Sequence, residues 1–226
     1  MAFKSIAERV ARNRFMVLTL TLVALFVIQP FVDAKALLGN ILLDLVFLAI
    51  SLAALWAISY RRHIFYTAIV FAALGFLGRW LDFGYIKDTA TFIGAICDIL
   101  FFIVTVAAIL GYVLRSEPVS ADKLFAAICA YLFFGLIWAM VYDLLERFEP
   151  GSFAHLAEGT DRFLQMTYYS FVTMTTLGYG DITPVSAPAK SFACLEAAMG
   201  QLYPAILIAR LVGLHTAHTL SGSDDL

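Results

Sequence analysis

Long stretches of this chain are apolar with hardly a charge, and that limits its folds more than any other feature. The runs Phe15–Val32, Ala36–Tyr60, Ile64–Tyr85, Thr91–Leu114, Ala121–Leu145 and Ala189–Leu214 approach or exceed the roughly 20 residues a helix needs to cross a bilayer. They are continuous rather than alternating, which excludes an outer-membrane β-barrel. The chain is 62% hydrophobic and 14% charged, a balance that excludes an ordinary water-soluble domain. The net charge of −2 gives no footing for nucleic acid. Cys97, Cys129 and Cys194 each lie inside an apolar run and are expected as buried thiols. The first run is long and lacks a small-residue cleavage site, so no cleaved leader is expected.

A segment at about residues 3–13, carrying Lys4, Arg9 and Arg12, is amphipathic and suited to the inner membrane surface. The polar break Arg115-Ser116-Glu117-Pro118-Val119-Ser120 separates the first four runs from the rest, and Ser120 is the expected N-cap of the fifth helix. After the turn Glu149-Pro150-Gly151-Ser152, Thr160-Asp161 is placed to cap a short helix, Arg162 to about Thr175. That helix is too short to span, so it is read as entering the membrane and stopping halfway, where irregular backbone is tolerated only against protein or water. Lys4, Arg9, Arg12, Arg14, Arg61, Arg62, Arg115 and Lys123 cluster near helix ends on one side, so both termini are expected in the cytoplasm. The expected membrane is the plasma membrane, or the inner membrane in a bacterium.

The stretch Thr176-Leu177-Gly178-Tyr179-Gly180-Asp181 follows the short helix. A dehydrated monovalent cation needs oxygen ligands that replace its hydration shell. Backbone carbonyls serve if several successive ones face one side, and the glycines tolerate the φ values this requires. Thr176 adds a hydroxyl, Tyr179 a rigid ring with a polar tip, and Asp181 a carboxylate at the exit.

The segment Thr173–Pro184 resembles the signature of potassium channels. The resemblance is specific over Tyr168–Pro184, moderate over Thr160–Leu214, and rests on helix count alone before residue 120. It implies a homotetramer with one filter strand per subunit and K+ as the permeant ion. The ions would be held by Thr176, Leu177, Gly178 and Tyr179, with Gly180 completing the filter and Asp181 at the outer mouth. Leu177 stands where Val is commonest, and Tyr168 and Tyr169 where many relatives carry a Trp pair. Val172 stands where some relatives carry a carboxylate. The expected fold class is an all-α membrane protein: six transmembrane helices plus a re-entrant pore helix and selectivity-filter loop, assembled as a tetramer. The expected domains are an interfacial segment (1–14), a voltage-sensor-like four-helix domain without a basic repeat (15–115), a pore domain (116–216) and a short tail (217–226).

Tyr168, Tyr169, Thr175 and Glu196 are the expected filter supports, with Tyr168 reaching Asp181. An intramembrane acid needs a partner; Glu196 either bonds the pore helix, with Thr173 and Ser170 as candidates, or reaches the outer interface. Gly200 falls at the family's hinge position, and Pro204 clashes with the carbonyl four residues earlier, that of Gly200. Gln201, Pro204, Ile208 and Val212 share a face assigned to the cavity, with Ile208 and Val212 as candidate constriction. Glu146, Glu149, Glu158 and Asp161 are expected around a negative outer vestibule, or in a merely solvated loop.

Thr91–Leu114 contains no Arg or Lys, so little intrinsic voltage dependence is expected. Asp44, Arg79 and Asp98 fall at similar depth and are expected as a buried charge cluster, with Asp82 nearer the surface; its role is read as structural, with proton or ligand sensing the alternative. His63, His155, His215 and His218 are candidate pH sensors. The leading function is a potassium-selective channel that conducts passively. The alternatives are a weakly selective cation channel, or a regulatory membrane subunit that needs partners to conduct. No enzyme is expected, and neither cofactor nor soluble regulatory domain.

Overall fold

The computed structural model describes residues 14–29, 37–80, 87–117, 119–157 and 160–221. The amphipathic segment 3–13, Asp82, Glu158 and the last five residues lie outside the described residues, as do the side chains of Arg79, His215 and His218. The described chain is mostly helical: α1 (Arg14–Ile28), α2 (Leu37–Ile58), α3 (Arg62–Trp80), α4 (Lys87–Val113), α5 (Ala121–Phe148), α6 (Arg162–Met174) and α7 (Ala187–Ser221). A two-residue antiparallel pair, β1 (Phe153–Ala154) with β2 (Thr183–Pro184), joins the loops either side of α6.

Among the described residues three helical stretches are long and apolar enough to cross a membrane: Thr89–Val113, Ala121–Phe148 and Ala187–Leu214. The shortest of these, 25 residues, is about 37 Å long at 1.5 Å per residue, against a hydrocarbon core of about 30 Å. Three shorter apolar helices, Arg14–Ile28, Asp44–Ile58 and Arg62–Gly78, accompany them. The first lays Phe15, Leu18 and Leu22, all fully buried, into the main core with Ala126, Cys129, Ala130 and Phe133 of α5. The Thr19 hydroxyl and the Cys129 thiol meet at 3.0 Å in that seam.

Small residues set the α3–α4 approach. A Cβ on Gly78 would stand 2.7 Å from the Ala90 carbonyl oxygen and 2.7 Å from the Gly94 Cα. Close backbone contact of this kind is how helices associate where lipid removes the usual hydrophobic drive. On the neighbouring turn, a Cβ on Gly75 would meet the Asp98 carboxyl. Asp44 and Asp98 both line one cavity of about 440 Å³ between the first four helices and α5, so two members of the expected charge cluster share a space.

Three expectations change, and one feature is new. The last helix, expected over Ala189–Leu214, starts at Ala187 and continues to Ser221. The β pair was not foreseen, because two residues make no periodic signal. Cys97 and Cys129 are buried but Cys194 is exposed on this single chain. Glu146 is 8% exposed rather than facing a vestibule, because its carboxylate accepts the Gly151 and Phe153 amides at 2.8 and 3.1 Å.

Gly78→Val should drive α3 and α4 apart and lower the thermal midpoint of the detergent-solubilised protein, an overpacking cost of about 1–3 kcal/mol. Gly111→Ala in α4 should leave the midpoint in place, since its Cβ would meet only the Arg61 guanidinium, at 3.5 Å.

Candidate functional site

The ribbon after α6 is built from the end of that helix. Asp161 caps its start, its carboxylate accepting the Phe163 and Leu164 amides at 2.7 and 3.3 Å. At the other end the Val172 carbonyl accepts two amides beyond the helix, Leu177 at 3.0 Å and Gly178 at 3.2 Å, and Thr173 accepts Thr176 at 3.0 Å. Three consecutive ribbon amides are thereby turned back toward the helix. The φ values are positive at alternate residues: Thr176 (59°), Gly178 (56°) and Gly180 (79°). Alternating the sign of φ along a chain brings successive carbonyls round to the same side. Glycine adopts this region freely, whereas a β-branched residue there is a genuine outlier, so Thr176 holds a conformation its own preferences oppose. Residues Thr175 to Asp181 are all exposed on the single chain.

A packed frame surrounds the ribbon. Tyr168 donates to Oδ2 of Asp181 at 2.6 Å, the contact expected from sequence. This hydrogen bond is the main influence holding the Asp181 carboxyl below its ordinary pKa. Tyr169 points the other way, 5% exposed. Its ring meets those of Tyr142 and Phe153 edge-on, each at 5.1 Å, as aromatic quadrupoles prefer. The Thr175 hydroxyl turns back to the Phe171 carbonyl at 2.6 Å.

Glu196 is fully buried. It meets Ser170 of α6 at 2.5 Å and Tyr142 of α5 at 2.6 Å. Ser170, one of the two candidates, is therefore its neighbour on α6; Tyr142 was missed, since nothing in the sequence registers α5 against α7. Gly200 packs against the end of α6: a Cβ there would stand 2.0 Å from the Met174 carbonyl oxygen. Gln201 reaches the Thr176 hydroxyl at 3.5 Å. Helix α7 continues through Pro204, and Ile208 and Val212 are exposed on the single chain.

Sequence reasoning also missed the clamp at the C-terminal end of α5. Asp143, 8% exposed, accepts Arg147 at 2.7 Å and Arg162 at 2.6 Å, tying the end of α5 to the start of α6. Gln165 closes the connecting loop, accepting the Ala157 amide at 2.6 Å and donating to the Ala157 carbonyl at 3.1 Å. Among the described residues no group of acids, histidines and cysteines suits a metal ion.

Residues 126–216, from α5 to α7, match a family model described as ion channel. Protein LctB of Bacillus caldotenax is 28% identical over 102 residues, covering 43% of this chain and 75% of that protein. The inward rectifier potassium channel Kirbac3.1 of Paramagnetospirillum magnetotacticum is 32% identical over 93 residues, 39% of this chain and 28% of the relative. Two pore potassium channel a of Oryza sativa subsp. japonica is 38% identical over 52 residues, 23% of this chain and 15% of the relative. No solved structure matches the chain.

Tyr168→Phe should raise the Asp181 titration toward the ordinary carboxylate range. A depressed folded-state pKa contributes stability that is present above the ordinary value and lost as pH falls through the lowered one; the variant should lack that acid-side dependence. Carboxyl-carbon NMR titration reads it, and an unmoved Asp181 would show that the hydroxyl does not hold it.

Proposed function

We propose that this chain, which through residues 126–216 belongs to the ion channel family and not to an enzyme family, forms a potassium-selective pore as a homotetramer. The observation that carries the reading is the ribbon Thr176–Gly180, with left-handed φ at every second residue and its amides tied to the end of α6. Four such ribbons around an axis would offer stacked rings of carbonyl oxygen. On this reading Thr176, Leu177, Gly178 and Tyr179 coordinate K+, Gly180 lets the ribbon turn at its outer end, and Asp181 makes the mouth negative. Each α6 adds roughly half a negative charge at its C-terminus, directed at the cavity below.

The pore domain on this reading is 116–216, and the exposed face of α7 with Gln201, Ile208 and Val212 lines the inner cavity. Gly200 lets α7 approach the pore helix and joins Pro204 as the hinge. Residues 15–115 form a four-helix unit, so that six helices cross the membrane. An aromatic and basic cluster supports placing one end of that unit at the cytoplasmic interface: the guanidinium of Arg14 lies 4.6 Å, and that of Arg115 5.5 Å, from the Tyr60 ring centre. Such rings and cations favour the headgroup level. Both termini then face the cytoplasm. With no Arg or Lys over Thr91–Leu114, the unit moves little charge through the field and the conductance depends weakly on voltage.

The test is flux from purified protein in liposomes. Potassium flux blocked by barium, a reversal potential following potassium rather than sodium, and a tetrameric mass are the expected results. Equal permeability to sodium would replace this reading with a weakly selective cation channel. A silent tetramer that conducts only with a second protein would make it a regulatory subunit.

A further inference from the structure

We propose that Glu196 is held as a neutral carboxylic acid whose proton is a structural donor, locking the pore helix α6 between α5 and α7, so that alkaline pH loosens the filter's support. The protonation stands on the contacts alone; its consequence for the filter rests on the pore reading above.

The argument is a count of protons. Three oxygen–oxygen contacts meet at this point: Tyr142 Oη to Glu196 Oε2 at 2.6 Å, Ser170 Oγ to Glu196 Oε1 at 2.5 Å, and Ser170 Oγ to the Gly135 carbonyl at 2.8 Å. Each distance requires a proton between the oxygens. Tyr142 supplies one and Ser170 one; the Gly135 carbonyl can only accept, and so can a carboxylate. With Glu196 ionised, two protons serve three contacts. One contact would then press two acceptors together among side chains that are all fully buried. With Glu196 protonated, the count closes in a single direction. Tyr142 donates to Oε2, the acid donates through Oε1 to Ser170, and Ser170 donates to Gly135.

The surroundings agree. The titratable groups interacting with the acid are Tyr131 and Tyr142 on α5 and Tyr169 on α6, and Cys194 of α7 acts on the last two. None of these is a cation. The nearby guanidiniums of Arg147 and Arg162 are taken by Asp143. A buried carboxylate without a cation sheds its charge by keeping its proton. Loss of that proton as pH rises leaves α6 with a broken link directly behind Tyr169 and one turn before Met174, where the ribbon departs.

Infrared spectroscopy of the full chain in lipid tests this. Wild type at neutral pH should show a protonated-carboxyl stretch that Glu196→Gln lacks, and the band should vanish on raising the pH. Heat stability should fall over the same rise in wild type and stay level in Glu196→Gln, whose amide donates to Ser170 and accepts from Tyr142 without titrating. The fraction of flux lost over that rise should likewise be smaller in Glu196→Gln. Absence of a Glu196-dependent band at neutral pH, or equal alkaline sensitivity of both proteins, overturns the proposal. If Glu196→Gln fails to assemble, Ser170→Ala decides: the band must shift as the acid loses its acceptor, and an unshifted band overturns it. A protein that keeps the band yet carries no potassium sinks the pore reading alone.

Discussion

A backbone ribbon can turn its carbonyls outward only if something accepts its amides on the other side. At membrane depth water is not there to do so, and an unsatisfied amide costs several kcal/mol. In this chain the acceptor is the end of α6, where Val172 takes the Leu177 and Gly178 amides and Thr173 takes Thr176. The carbonyls that a helix ordinarily leaves unpaired at its C-terminus therefore do a second job: they set which way the ribbon faces. The same bonds hold Thr176 at φ 59°, where a threonine would not stay unaided. The position of α6 is consequently the quantity that the rest of the fold has to fix.

Three devices fix it, at three heights. At its start, Asp143 of α5 grips Arg162 in the first turn of α6, and Gln165 pins the loop that precedes it. Halfway along, Ser170 meets Glu196 of α7 and the Gly135 carbonyl of α5, so one side chain touches both flanking helices. At its end, Gly200 admits the Met174 carbonyl to a distance that any side chain would forbid. Gly200 thus has a packing duty at the very position assigned to a hinge, and α7 cannot swing there without disturbing the end of α6.

Local chemistry made some of this legible beforehand. Ser120 and Asp161 cap the helices they were expected to cap, because capping is decided within four residues. The left-handed positions at Gly178 and Gly180 follow from glycine itself, and the Tyr168–Asp181 contact from the family resemblance, which sets an aromatic at Tyr168 behind the ribbon. What stayed hidden depends on register between helices distant in sequence. Glu146 was expected at a vestibule or in a solvated loop and Asp143 drew no expectation at all, yet both are buried, Glu146 by amides that the folded loop supplies. Tyr142 lies 54 positions from Glu196, and an apolar helix gives no sign of which of its faces meets which neighbour. Thr176 was named from sequence, but its left-handed φ was hidden for the opposite reason: its own propensity argues against the conformation that tertiary hydrogen bonds impose.

The first four helices meet α5 and α7 through backbone carbonyls as well as apolar packing. Lys123, 2% exposed, donates from α5 to the Arg115 and Glu117 carbonyls at 2.6 and 2.9 Å, just beyond the end of α4. Arg210 of α7 donates to the Leu114 carbonyl. Cations at a helix C-terminus are favoured by its partial negative charge, so the end of α4 is held by one residue from α5 and one from α7. The Arg210 contact lies between Ile208 and Val212 in sequence, on the stretch assigned to the constriction. The first four helices are thus joined to α5 and α7 at the end of a helix, through contacts to backbone carbonyls. The long uncharged runs with which the chain is built leave little else for such a joint to be made from.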